Sequence, residues 1–203
     1  IASLVSDVKY KGLGGYPRDF VELPSQINEH WAFEPEVLKV YAKHYRTGEV
    51  IPQELVDKVI ASGKYGQGFA TVEYLAASYL DMDFHTLKEI PVDLDVMKFE
   101  EKVLGDRGIL EQIPSRYRSP YFNHTFGGGY TAGYYSYIWA EVLDADAYQA
   151  FVETGDIFNP EVAKRFRCEV LSRGNEADAM QLYINFRGKK PGIEPLLKNR
   201  GLN

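Results

Sequence analysis

Proline at the front and glycine at the back divide this chain into helix-length pieces. Pro35 opens a segment that runs through about Tyr45 to Gly48, and Pro52 opens one that runs through about Ala61 to Gly63. Proline suits the first turn of a helix, where its missing N–H leaves no bond unmade. Glycine suits the position just past the end, where the backbone turns left-handed. The pattern continues with a long helical stretch at 68–87 and another at 93–104 ahead of Gly105. Asn159-Pro160 starts a segment ending at Gly174, Asn175 caps one ending at Gly188, and a short helix fits 193–199. Near the front, Asp19-Phe-Val-Glu22 has the spacing of a capping box ahead of Ile27 and Trp31, with Pro24 early enough to be tolerated. Alternating strand patterns are scarce. The sequence therefore predicts an all-α fold of long helices. The irregular stretch 107–129, with Pro114 and Pro120, is the loop where such a protein would carry function.

The chain has 203 residues, 45% hydrophobic and 14% aromatic, enough to bury a sizeable core in one domain or in a large part of a bigger one. A net charge of −6 argues against nucleic acid or an anionic membrane as the main partner. No apolar run approaches the roughly 20 residues of a membrane span. The single cysteine, Cys168, excludes an internal disulfide and is compatible with a reducing compartment. We expect a cytoplasmic protein, with the periplasm as the alternative. Val162, Phe166 and Val170 around Cys168 predict a core or flanking position for it. Ile1 in place of a methionine, with a glycine-rich loop soon after, reads as a chain cut from a longer protein.

The segment His124-Thr-Phe-Gly-Gly-Gly-Tyr130-Thr-Ala-Gly-Tyr-Tyr-Ser-Tyr137-Ile-Trp139 stands apart. A helix from about Thr131 to Glu153 would put Tyr130, Tyr134 and Tyr137 on one exposed face and Tyr135, Ile138, Trp139 and Val142 on a buried one. A row of phenols beside a histidine, reached through a glycine turn, suits donating hydrogen bonds to a bound, partly charged oxygen. Tyrosines also pack well at helix interfaces because they are amphipathic, so both readings stand. Glu22 lies among Phe20, Val21 and Leu23. A carboxylate in such company needs a cation, a metal or a proton, unless it is a solvated capping-box residue. His30, His44, His85 and His124 have no ligand spacing, and the chain has no H-E-x-x-H and no cysteine cluster, so alone it cannot build a catalytic zinc site. There is no G-x-S-x-G elbow, and Gly127-Gly128-Gly129 lacks the Lys-Ser/Thr of a phosphate loop.

Pro17-Arg-Asp-Phe-Val-Glu-Leu-Pro-Ser-Gln-Ile-Asn-Glu-His-Trp31 and the His124–Trp139 segment together resemble the thimet oligopeptidase-type zinc metallopeptidases. Ile113-Pro-Ser-Arg-Tyr-Arg-Ser-Pro-Tyr-Phe122 and the ending Leu197-Lys-Asn-Arg-Gly-Leu202 look like the peptidyl-dipeptidase branch rather than the oligopeptidase A branch. The resemblance runs from about Ser6 to the last residue. It implies that residues 1–203 are the C-terminal helical part of a zincin catalytic domain that lacks H-E-x-x-H. It implies zinc in the whole enzyme, not bound to these residues alone, and no activity for these residues in isolation. Carried over by position, Glu22 matches the third zinc ligand. His124, Tyr130 and Tyr137 match groups that contact the scissile peptide and its transition state, with Tyr134 lining the same face. Arg116 and Arg118 are candidates for the free C-terminal carboxylate, which arginine grips with two bonds. The implied partners are peptide substrates and the missing N-terminal half of the enzyme, without nucleic acid or membrane. The isolated chain is expected to self-associate as a dimer through the uncovered face, with Ile1–Tyr16 rearranged. An oligopeptidase cutting internally and a noncatalytic helical interaction domain are the alternatives.

Overall fold

Helices occupy the stretches that the punctuation marks. The computed structural model describes residues 5–202. It forms α1 (Leu23–Ala32), α2 (Pro35–Tyr41), α3 (Gln53–Ser62), α4 (Gln67–His85), α5 (Val96–Asp106), the single turn α6 (Asn123–Phe126), α7 (Ser136–Val152), α8 (Pro160–Phe166), α9 (Ala179–Arg187) and α10 (Glu194–Asn199). Among the described residues no strand forms, and only an isolated bridge joins Lys43 to Val50. The fold is all-α, as the sequence predicts.

Several boundaries move for identifiable reasons. α2 stops at Tyr41 because residues 42–51 fold back on themselves. Ile51 N–H donates to the Ala42 carbonyl and His44 N–H to that of Glu49, each at 2.8 Å, with Gly48 left-handed at φ +74°. Gly48 thus closes a turn rather than a helix. Gly105 lies inside α5, whose start is fixed by the Asp95 carboxylate accepting from the N–H groups of Met97 and Lys98. Asp178 rather than Asn175 caps α9, through Gln181 N–H at 3.1 Å. Asp19 caps nothing: Glu22 itself precedes α1, its side chain makes no cap bond, and Pro24 sits in the first turn. Asn159 caps α8 as expected. α8 then widens into a π turn, Arg167–Leu171. That turn buries Phe166 and Val170 but carries Cys168 outward, so the cysteine expected in the core or on its flank is exposed. Of the N-terminal stretch expected to rearrange, residues 1–4 lie outside the described residues.

The chain divides into two units, Ile1–Tyr65 with Ile138–Asn203, and Gly66–Tyr137. The core of the first gathers Leu23 and Ile27 of α1, Leu143, Ala147 and Phe151 of α7, Val162 and Phe166 of α8, and Tyr183 and Phe186 of α9. Trp31 meets Tyr148 and Phe151 edge-on at 4.8 and 4.9 Å, and its indole N–H donates to the Ile157 carbonyl. The core of the second unit is Ala76, Ala77 and Leu80 of α4, Leu104 of α5, Phe122 and Tyr134. Here the functional loop foreseen at 107–129 is tied down. The buried Glu100 carboxylate accepts from the N–H and hydroxyl of Ser119 at 2.7 and 2.8 Å, and from Arg118 Nε.

Candidate active site

The triple glycine turns the chain back on α6. A Cβ on Gly128 would stand 3.0 Å from the Asn123 carbonyl oxygen and from His124 Cα, so any side chain there would press on the backbone of α6. Gly129 follows at φ +82°, and Tyr130 N–H donates to the His124 carbonyl at 2.9 Å. The result places three of the expected residues together. The His124 ring centre lies 5.9 Å from that of Tyr130 and 6.1 Å from that of Tyr137, and the two tyrosines stack at 5.0 Å. Tyr117 completes the group from the preceding loop, 4.8 Å from His124. Its position in Arg116-Tyr-Arg118 gave no periodic signal in the sequence.

The means differ from the expected helix face. α7 starts at Ser136, so Tyr130 and Tyr134 belong to the turn before it. Ala132 at φ +50° breaks the helical path. This rotates Tyr134 inward, to 3% exposure, among Tyr74, Tyr117 and Phe122 at 5.2, 5.9 and 5.0 Å. Tyr135, expected in the core, is 43% exposed. Ile138 and Trp139 are half-buried rather than buried. Burial, and next the neighbouring Tyr117, push the Tyr134 phenol pKa up, while the Arg116 guanidinium acts in the opposite direction. Tyr134 is thus a protonated wall of the site, while Tyr117, Tyr130 and Tyr137 are half-buried.

Both expected carboxylate-binding arginines already have acidic partners. Arg118 is bonded to buried Glu100. Arg116 is exposed and reaches Glu73 at 3.4 Å, the longer and weaker contact. Glu22 lies in the other unit, half-buried between Phe20 and Leu23, and accepts from the Ser25 hydroxyl at 2.8 Å. Among the described residues, no group of three or more His, Cys, Asp or Glu is placed to hold a metal. Glu22 is a single donor, and a catalytic zinc takes three protein ligands. The residues present therefore do not complete such a site. Zinc measured on this purified chain after dialysis should fall well below one per chain, and Glu22→Gln should not change it.

The comparisons with known proteins join this geometry to a family. The chain matches peptidase family M3 over residues 1–202. This chain belongs to peptidase family M3. It is 48% identical over 198 residues to Dipeptidyl carboxypeptidase of Escherichia coli (strain K12), covering 96% of this chain and 29% of that protein. It is 40% identical to Oligopeptidase A of the same strain, covering 94% and 28%, and 32% identical to Saccharolysin of Saccharomyces cerevisiae, covering 96% and 27%. The M3 chain thus spans under a third of the length of the relatives it matches. No helix among its described residues is long and apolar enough to cross a membrane.

The first unit of the M3 chain also carries an open cavity of about 590 Å³, whose lining includes Glu29, His30, Glu34, Glu141, Asp144 and Tyr148. His30 Nε2 lies 2.6 Å from Asp144, and its ring stacks on Tyr148 at 4.7 Å. Burial raises the Asp144 pKa from 3.8 to about 6, against the opposing pull of His30. A carboxyl raised on folding binds its proton more tightly in the folded state. Its contribution to stability is whole below about pH 4 and lost as the pH climbs through about 6. Chemical denaturation across pH 4–7 should therefore show the parent losing stability relative to Asp144→Asn. Parallel curves for the two proteins would contradict that assignment.

Proposed function

We propose that these residues form the substrate-facing part of a zinc peptidyl-dipeptidase, which releases dipeptides from peptide C-termini. The meeting of His124, Tyr130 and Tyr137 at the end of the glycine turn carries this reading. Membership of peptidase family M3 and the 48% identity to a dipeptidyl carboxypeptidase support it. In this reading 1–203 work as one catalytic part with an H-E-x-x-H segment, for which the relatives' greater length leaves room. Glu22 would be one zinc ligand beside two histidines of that segment, and the bound zinc would polarise the scissile carbonyl and activate water.

The work of this chain is positioning and charge stabilisation. Tyr137 and His124 would donate hydrogen bonds to the peptide oxygen as negative charge develops on it, with Tyr130 holding Tyr137 in place by stacking. Tyr134 and Tyr117 would form the rigid floor beneath them. Arg116, with the weaker internal contact, is the arginine that can turn to a substrate carboxylate. Arg118 serves to pin the loop to Glu100.

Product analysis tests this on the chain joined to its H-E-x-x-H segment. Peptides with a free C-terminus should yield dipeptides, and C-terminally amidated ones should react slowly. Equal internal cleavage of both would instead favour an oligopeptidase, in line with the 40% identity to Oligopeptidase A. Arg116→Ala should raise KM for free peptides about tenfold or more, and leave amidated peptides unaffected.

A further inference from the structure

We propose that Asp81 is a positioning residue of this site: it clamps the turn 125–134 so that His124 and Tyr137 face one substrate oxygen with Tyr130 stacked against Tyr137. This rests on the peptidase reading above. Asp81 lies inside α4 and is completely buried. One carboxylate oxygen accepts from the Thr125 hydroxyl and from Ala132 N–H at 3.0 Å, and the other accepts from Tyr134 N–H at 2.9 Å. His85, one helical turn on, brings Nδ1 to 3.0 Å from the same carboxylate. A carboxylate this far from water is tolerated where several donors meet it. Here all three turn donors come from the segment that carries the site.

The clamp acts at the points that set the rings. Thr125 follows His124 directly, and its hydroxyl also lies 3.2 Å from the Tyr130 carbonyl. Ala132 is the one non-glycine residue with positive φ among the described residues. A left-handed alanine is strained and persists only where its surroundings over-determine it. The bond from its N–H to Asp81 supplies that constraint. Without it the turn can relax toward right-handed geometry, which would carry Tyr130 off Tyr137 and move Tyr134 from its place against His124 and Tyr137. None of these steps brings Asp81 into contact with substrate. Its effect on the reaction passes wholly through the placement of the rings, where a displacement of about 1 Å can lower the rate about 10²-fold.

The test uses the chain joined to its H-E-x-x-H segment, with variants Asp81→Asn, Thr125→Val and Thr125→Ser. Asp81→Asn and Thr125→Val should lower kcat at least tenfold with KM within about twofold, and Thr125→Ser, which keeps the hydroxyl, should match the parent. Amide hydrogen exchange gives an independent readout. Ala132 and Tyr134 should lose protection in Asp81→Asn while amides in the middle of α4 and α5 keep theirs. If Asp81→Asn does not fold, Thr125→Val decides alone. Parent-like kcat in the folded variants, or a loss that merely follows the folded fraction and is equal in Thr125→Ser, would overturn the proposal. Should the parent itself cleave no peptide, the peptidase reading fails separately. The exchange of Ala132 and Tyr134 then decides whether Asp81 holds the turn, and unchanged protection would overturn it.

Discussion

In the chain joined to its H-E-x-x-H segment, Tyr137→Phe should lower kcat for peptide hydrolysis by on the order of 10²–10³ while KM changes little. The ring is retained, so its stacking on Tyr130 at 5.0 Å and its contact with Tyr134 at 5.4 Å are undisturbed. Only the hydroxyl goes. A donor aimed at a developing oxyanion is worth most when the charge is there, so its loss weakens the transition state more than the bound substrate. Tyr130→Phe should cost less if Tyr130 acts chiefly by holding Tyr137. Tyr134→Phe should change kcat least, because that phenol is buried beneath the site. Measuring kcat and KM for the three variants on one peptide ranks them. An order led by Tyr134, or a Tyr137→Phe effect carried by KM, would remove Tyr137 from the proposed role.

That ranking could not have come from spacing. Tyr130, Tyr134 and Tyr137 have helical spacing, and periodicity alone makes them equivalent. What separates them is the left-handed Ala132, a conformation that alanine rarely adopts and that nothing local announces. It depends on Asp81, about fifty residues away in sequence, through a tertiary bond invisible to a window-by-window reading. Glycine was more legible: the triplet implied a close backbone approach, and Gly128 passes against Asn123 and His124. Proline and asparagine likewise marked true helix starts at Pro35 and at Asn159-Pro160, because their local chemistry acts at those residues. Gly48 and Asn175 misled because turn-forming residues serve turns as readily as helix ends. Glu22 stands out in the sequence for its apolar company, which the structure retains. Its partners as a ligand would come from residues this chain does not contain.

Stability should depend most on a group the sequence did not mark. Arg187→Met should lower unfolding free energy by about 3–5 kcal/mol, the usual loss when one member of a buried ion pair is removed. Arg187 is 7% exposed and Asp146 2%, both within the first unit. The Arg187 Nε donates to the Asp146 backbone carbonyl at 3.1 Å and to its carboxylate at 3.3 Å, and its terminal nitrogens grip Glu153 at 2.8 and 2.6 Å. Tyr183 donates its hydroxyl to Asp146 at 2.6 Å, and burial, then that bond, raise the phenol pKa. Methionine fills much of the space but supplies no charge, leaving Asp146 with Tyr183 and with Lys189 at 3.8 Å. Lys189 is exposed, so its compensation is partial. Glu153, though held below the usual carboxylate range by Arg187, is about half exposed, and Glu153→Gln should cost only about 1 kcal/mol or less. Urea unfolding followed by the fluorescence of Trp31 and Trp139 compares the two variants. Equal losses would mean that the energy lies in the exposed Glu153 contact rather than in the buried charge of Asp146.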